Sequence, residues 1–254
     1  MTGDPGPGEV CRLLPWDSDF FGFPIATTSL PRLDGRLAAE TDAWCEGHGV
    51  ACLYLLAESG DPGTAIRAGE HGFRLVDIRV TLDRPLEAVP APPAPAGFEI
   101  DLARGADRDA LVPIARASHT DSRFFADPGF PREKCASLYE TWITRSIEGW
   151  ADAVLVARFG GVASGYVTCH VEGDRGRIGL VGVGEGARGR GVAGALVESA
   201  LTLFASRGAS RAEVVTQGRN VGAQRLYQKA GFRTSALQLW FHKWYRAPGA
   251  PEGR

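Results

Sequence analysis

The fold is decided by residues 178–206, which read IGLVGVGEGARGRGVAGALVESALTLFAS. Residues 178–183 are apolar, short and bounded by glycine, which predicts a buried strand. From Val192 to about Arg207 the apolar residues recur at helical spacing, which predicts a helix with one buried face. A strand that passes through glycines into a helix leaves the first N–H groups of the helix free. The stretch therefore predicts an anion-binding turn at the start of the helix.

Two common glycine-rich loops are excluded by the residues around this turn. A Walker loop ends in Gly-Lys-Ser or Gly-Lys-Thr, and the chain contains neither tripeptide. The spacing of Gly184, Gly186 and Gly189 fits the dinucleotide fingerprint, but that fingerprint also needs an acidic residue after the second strand. The next predicted strand, residues 212–216, ends without one.

Two motifs accompany the turn. The first is Arg188-x-x-Gly191-x-Ala193, and the second is Asn220-x-x-Ala223-x-x-x-Tyr227-x-x-x-Gly231-Phe232. Together they resemble the two core motifs of the GCN5-related N-acetyltransferase (GNAT) superfamily, at the expected separation. The resemblance implies a GNAT fold and transfer of an acetyl group from acetyl-CoA to an amine by direct attack.

The resemblance also assigns residues to the donor. It implies that acetyl-CoA is bound by Val181, Val183, Arg188, Gly189, Arg190, Gly191, Val192, Ala193, Gly194, Asn220 and Tyr227. Tyr227 stands at the family position of the acid that protonates the leaving thiolate. Three of these residues also have a structural interpretation: Tyr227 fits the core face of a helix, Asn220 fits an N-cap, and Arg190 fits a solvated surface.

An aromatic segment near the N-terminus narrows the resemblance. Trp16-Asp17-Ser18-x-Phe20-Phe21-Gly22 resembles the signature of a GNAT branch that acetylates nucleotide-linked amino sugars, although clustered aromatic residues also fit a core. In that branch the acceptor pocket falls on Arg123, Phe124, Tyr139 and Trp142. Arg123 fits either an anionic group on the acceptor or an internal salt bridge.

The general base stays open. His119, His170, Glu172 and Glu185 are candidates, and an ordered water is another. Two other functions also stay open: an acyltransferase with a different donor, such as a longer acyl-CoA or an aminoacyl-tRNA, and an acyl-CoA sensor without activity.

The element pattern predicts an α/β (α+β) chain with a mixed, mostly antiparallel sheet. We expect a small N-terminal α/β domain at residues 1–84, a proline-rich linker at 85–97, a GNAT domain at 98–246 and a disordered tail at 247–254. Further helices are expected at residues 34–48, 64–71, 107–119 and 135–147, with Pro113 disturbing the third. Gly72-Phe73 echoes Gly231-Phe232, which fits either a first domain that is a degenerate half-copy of the second or a coincidence.

Composition excludes several classes of partner. The net charge of −2 gives no electrostatic footprint for nucleic acid or an anionic membrane, and no apolar run is long enough to span a bilayer. The five cysteines are scattered, which argues against a disulfide framework and a zinc site, and we expect no metal. We expect a cytoplasmic protein with a small-molecule amine as substrate, and a homodimer is possible.

Overall fold

The computed structural model describes residues 10–28, 32–86 and 93–245. The predicted tail at residues 247–254 lies outside these ranges, as does the middle of the predicted linker. No helix within the described ranges is long and apolar enough to cross a membrane.

The described residues form ten strands and eight α-helices. The strands are β1 Cys11–Leu13, β2 Ile25–Thr28, β3 Cys52–Glu58, β4 Arg74–Pro85, β5 Phe98–Leu102, β6 Ala153–Phe159, β7 Val162–Glu172, β8 Arg175–Val183, β9 Arg211–Gln217 and β10 Arg233–Trp244. The helices are α1 Pro15–Phe21, α2 Gly35–Gly47, α3 Pro62–Glu70, α4 Arg108–Ser118, α5 Arg123–Ala126, α6 Arg132–Arg145, α7 Val192–Ser206 and α8 Val221–Lys229. A π turn, Ser146–Trp150, follows α6.

All ten strands belong to one sheet in the order β1-β2-β3-β10-β4-β9-β8-β7-β6-β5. The pairs β2–β3 and β8–β9 are parallel, and the other pairs are antiparallel. This confirms the predicted mixed, mostly antiparallel α/β fold. The segment before residue 85 contributes four strands to this sheet, so the two predicted domains share it; the boundary at residue 84 stays a prediction.

A bulge in β8 opens the sheet at its centre. Gly179 and Leu180 of β8 together face Thr168 of β7, because the register moves from Val167–Val181 to Cys169–Ile178. The Leu180 N–H donates to the Thr168 hydroxyl oxygen at 2.8 Å. Bulges bend the strand that carries them. Pairing between β8 and β9 accordingly ends at Ile178, and both strands continue beyond it without bonding to each other.

Helices cover both faces of the sheet. Neighbouring residues of β7 point to opposite faces; Tyr166 belongs to the core cluster under α4 and α6, and Val167 to the cluster under α7 and α8. We call the first side the α6 face and the second the α7 face. Pro113 was expected to disturb α4, but the helix runs through it from Arg108 to Ser118. The apolar face of α4, which buries Leu111 and Ala115, compensates for the one missing N–H.

The sheet repeats itself around its central β10–β4 pair. On each side the order outward is an antiparallel neighbour, then a parallel strand, then an antiparallel one. Arg79 and Gln238, which face each other across the central pair, are hydrogen-bonded and lie 159 positions apart. The same separation links Asp61 with Asn220 and Phe73 with Phe232.

Candidate active site

The glycine-rich turn exposes the start of α7. Gly189 and Gly191 have φ angles of 73° and 81°, a conformation that glycine adopts without strain. Gly191 is the N-cap residue of α7, and no side chain caps the helix. The first N–H groups of α7 are therefore available to an anion, in a region where the helix dipole favours negative charge.

A cavity of about 390 Å³ lies against this turn. Its lining includes most of the residues assigned to the donor, and it extends to α8: Val183, Ala187, Arg188, Gly189, Gly191, Val192, Ala193, Gly194, Glu198, Leu226, Lys229 and Ala230. Lys229 was missed in the sequence because it occupies an unspecified position of the second motif. As a lining residue it adds a positive charge to the cavity.

The two arginines of the turn have different surroundings. Arg188 lines the cavity, and its Nε donates to the Val183 carbonyl oxygen at 3.1 Å. The Arg190 guanidinium instead lies 4.6 Å from the ring centres of both Phe98 and Phe159. It lines a neighbouring cavity of about 320 Å³. Arg188 thus holds the turn to the end of β8, whereas Arg190 is exposed and its guanidinium packs on a pair of aromatic rings.

Tyr227 lies on the α7 face, in the last turn of α8. It is 5% exposed, and its ring packs edge-on against Phe232 at 5.9 Å. Burial raises the pKa of the phenol above its usual range, so the hydroxyl carries its proton at neutral pH. Asn220 caps α8 through its side-chain oxygen, which accepts from the Ala223 N–H at 3.0 Å. The structure thus gives Asn220 a structural role, and its contact with the donor stays a prediction.

Arg123 lies on the α6 face without an acidic partner. Its guanidinium carbon is 4.1 Å from the Trp240 ring centre, 4.5 Å from that of Phe124 and 4.7 Å from that of Tyr54. No salt bridge to Arg123 forms within the described chain, so the internal salt bridge considered above is not found there. The stacked rings orient the guanidinium and leave its N–H groups for another acceptor.

The other predicted pocket residues differ in exposure. Tyr139 is 5% exposed and stacks on His119 at 4.5 Å. Phe124 is buried in an aromatic cluster, and Trp142 packs 6.4 Å from Trp16. The Phe124 ring thus packs against the Arg123 guanidinium. Contact of Phe124 and Trp142 with an acceptor stays a prediction.

Among the predicted bases, His119 is the one in this pocket. Its Nε2 lies 3.0 Å from the Tyr166 hydroxyl, and burial lowers its pKa to about 4, which makes it a neutral, weakly basic group. His170 packs against Trp150 at 5.4 Å, and Glu172 and Glu185 are exposed. The structure therefore does not bring the four candidates together.

A buried carboxylate in the same region escaped the sequence analysis. Asp77 on β4 is 4% exposed, and burial raises its pKa to about 6. In the sequence Asp77 alternates with apolar residues along a predicted strand, a pattern typical of a strand with one face exposed to solvent. No local signal distinguishes it from an exposed aspartate.

Comparison with known proteins agrees with this site. Residues 116–232 match the model of the acetyltransferase (GNAT) family, and this segment includes the turn, α7 and α8. This segment belongs to the GNAT acetyltransferase family. The family match also shows that the protein is an enzyme, an acetyltransferase, as the sequence predicted.

Three relatives and one solved structure define the similarity. The spore coat polysaccharide biosynthesis protein SpsD of Bacillus subtilis is 28% identical over 59% of this chain, which spans about half (52%) of SpsD. A dTDP-fucosamine acetyltransferase of Escherichia coli is 26% identical over 91% of this chain and 96% of its own length. A mycothiol acetyltransferase of Clavibacter michiganensis is 28% identical over 87% and 77%. A GCN5-related N-acetyltransferase of Sphaerobacter thermophilus shares the fold, with a TM-score of 0.65 at 20% identity over 93% and 76% of the two chains.

Proposed function

We propose that this acetyltransferase moves the acetyl group of acetyl-CoA to a primary amine of a small molecule, and that the acceptor is a nucleotide-linked amino sugar. The observation that carries the donor assignment is the uncapped start of α7, which follows two left-handed glycines and is open to a cavity that reaches α8. A pyrophosphate fits such a turn because N–H groups and the helix dipole both favour its charge.

The residues around the cavity divide the work of binding the donor. The N–H groups from Gly191 to Gly194 would hold the pyrophosphate, with Arg188 and Lys229 offsetting its charge. The unpaired ends of β8 and β9 offer the backbone groups of Val181 and the N–H of Val183 to the pantetheine arm, while the Val183 carbonyl accepts from Arg188. Acetyl-CoA supplies the thioester, whose leaving group is a thiolate.

Tyr227 is assigned the role of acid. Its hydroxyl has no hydrogen-bond partner within the described residues, and its raised pKa keeps it protonated until a stronger base arrives. A departing thiolate would take that proton.

The acceptor assignment rests on the α6 face. Arg123 presents a guanidinium without an acidic partner in the described chain, and a planar guanidinium binds phosphoryl oxygens through paired hydrogen bonds. Among the relatives above, the dTDP-fucosamine acetyltransferase aligns over nearly its whole length, and its name specifies a nucleotide-linked amino sugar. We include a cytoplasmic location in the proposal, because five buried free thiols fit a reducing compartment.

The test is calorimetric titration with acetyl-CoA, followed by thiol release with a panel of amines. The panel contains dTDP-4-amino sugars, their free sugars, amino acids and the amine precursor of mycothiol. We expect binding of acetyl-CoA and the fastest thiol release with a dTDP-amino sugar. Absence of acetyl-CoA binding would refute the donor assignment. A preference for an amine that carries no nucleotide diphosphate would refute the acceptor class.

A further inference from the structure

Asp77 lies on the acceptor side of the sheet, beside Arg123. Its partner in the β4–β10 register is Trp240, and side chains of directly paired residues point to the same face. Arg123 stacks on that Trp240 ring at 4.1 Å. The Asp77 carboxylate therefore borders the predicted acceptor pocket, on a strand supplied by the N-terminal segment.

The position is also adjacent to the opening in the sheet. Residues 218–219, which connect β9 to α8, run along β4: the Gly218 N–H donates to the Ile78 carbonyl at 2.7 Å, and Arg219 Nη2 donates to the Val76 carbonyl. Asp77 thus lies at the end of β9, where β9 has already separated from β8. Tyr227, the proposed acid, follows on the next element, α8, and belongs to the α7 face.

The hydrogen bonds and charges around the Asp77 carboxylate do not fully compensate for its burial. One oxygen accepts from the Ile78 N–H at 2.9 Å and lies 3.8 Å from Arg219 Nε, which is long for a charge-assisted hydrogen bond. The other oxygen makes no hydrogen bond within the described chain. A side chain that is 4% exposed with one free oxygen is costly as an anion, and a bound cation would remove that cost.

Two buried hydroxyls in this pocket lack partners as well. Ser122 is 4% exposed and Tyr54 is 1% exposed, and neither hydroxyl makes a hydrogen bond of normal geometry within the described residues. Ser122 is nonetheless close enough to Tyr139 to lower the pKa of that phenol, against the larger effect of burial. Tyr54 is likewise close enough to Arg123 for the guanidinium to lower the pKa of that phenol, against the larger effect of burial. Buried polar groups are usually satisfied, and a polar ligand would complete the pairing of both hydroxyls.

We propose that Asp77 binds the ammonium group of the acceptor and takes one of its protons. This inference rests on the proposed function. In the step, an N–H bond of the ammonium breaks, an O–H bond forms on Asp77, and the freed electron pair of nitrogen becomes available to attack the thioester carbonyl. As the C–N bond forms and the C–S bond breaks, the thiolate takes a proton from Tyr227, the second N–H proton of the nitrogen passes to water, and the phenolate regains a proton from water. Asp77 then releases its proton to solvent.

The charged and titratable groups around Asp77 set the pH range of this role. They are Arg219 after β9, Arg123 of α5, Asp121 before α5 and Tyr139 of α6. Burial raises the pKa of Asp77, and the two arginines lower it by a smaller amount, so the pKa is about 6. Above that pH the carboxylate is ionised and able to accept a proton.

The binding test pairs a change in the enzyme with a change in the ligand. Wild type and Asp77→Asn are titrated calorimetrically, without acetyl-CoA, with dTDP-fucosamine and with the analogue that carries a hydroxyl in place of the amine. We expect the variant to bind the amine about 10-fold more weakly and the hydroxyl analogue equally well. Equal weakening of both ligands, or of neither, would overturn the inference.

The kinetic test follows kcat/KM against pH. We expect wild type to lose activity below pH about 6, as Asp77 becomes protonated. The variant can use only the fraction of the acceptor whose amine is already unprotonated in solution. Its activity should therefore rise about tenfold per pH unit up to the pKa of the amine. Asp83→Asn is the control, because Asp83 lies on the same strand in a surface ion pair with Arg211.

The outcomes separate this inference from the proposed function. A wild-type protein that binds no acetyl-CoA and releases no thiol with any amine refutes both. A wild-type protein that is active, together with an Asp77→Asn variant whose activity still levels off above pH about 6 as in wild type, refutes only the role of Asp77. Unchanged acetyl-CoA affinity in the variant shows that the donor site is intact.

Discussion

Replacing Asp77 by asparagine is expected to stabilise the fold at neutral pH, although it removes a charged group that lies near an arginine. Asparagine has the shape of the aspartate and can still accept from the Ile78 N–H. Arg219, the cation left behind, is 44% exposed and can be solvated. The variant therefore loses little and no longer has to bury an anion.

The magnitude follows from the pKa of Asp77. Burial raises it from 3.8 to about 6, and one pKa unit corresponds to about 1.4 kcal/mol, so the charge costs about 3 kcal/mol at pH 7. The folded state binds the proton more tightly than the unfolded state. Wild type therefore loses stability as the pH rises from 3.8 to about 6, and the advantage of the variant grows over the same interval and then stays constant.

The assay is urea unfolding of both proteins at several pH values between 4.5 and 7.5. We expect the difference in the free energy of unfolding to increase with pH up to about 6, and the variant to melt roughly 5–10 °C higher at pH 7. Asp83→Asn should change stability by less than about 1 kcal/mol, because it breaks only a surface ion pair. A difference that does not depend on pH, or a less stable Asp77→Asn variant at pH 7, would refute the reasoning.

Three further substitutions test the site. Tyr227→Phe should lower kcat about 100-fold and leave the calorimetric Kd of acetyl-CoA within twofold, because the phenol acts on the leaving group; equal losses in both would argue against an acid. Gly191→Ala forces a side chain into φ 81° and should cost about 1 kcal/mol and weaken acetyl-CoA binding, whereas Gly186→Ala, with open space around it, should do neither in the same thermal-shift titration. Arg123→Gln should raise KM for a dTDP-amino sugar more than for the free amino sugar, and an equal rise for both would contradict a phosphoryl contact.

The donor side of the site was predictable because its signals are local. Free N–H groups at a helix start follow from glycines at fixed offsets, and the spacing from Asn220 to Phe232 encodes a cap, a buried face and a left-handed ending within one short helix. The structure has each of these features: the Asn220 cap, buried Tyr227 and Gly231 at φ 81°. Even so, the sequence could not assign different contacts to the two arginines. Arg188 bonds to the end of β8, and Arg190 packs on two aromatic rings that are distant in sequence.

The acceptor side was less predictable because its contacts are long-range. Asp77 and Trp240 meet only because β10 enters the sheet beside β4, a strand order that no local pattern specifies. The unpaired state of Arg123 likewise depends on three rings from three different elements. Periodicity indicates which face of a strand is buried, and it does not indicate which strands are neighbours.

The two halves of the sheet have the same strand order, and each half contributes a strand to the other. Phe73 N–H donates to the Ala68 carbonyl at 2.9 Å, and Phe232 N–H donates to the Tyr227 carbonyl at 3.0 Å, so Ala68 occupies the position of the tyrosine in the first half. A methyl group there cannot donate a proton, and no phosphate-binding glycine motif precedes α2. The central strands are nevertheless exchanged, since β4 pairs with β9 and β10 pairs with β3. Because of that exchange, the half without the tyrosine places Asp77 beside the opening of the other half, and the proposed ammonium site requires both.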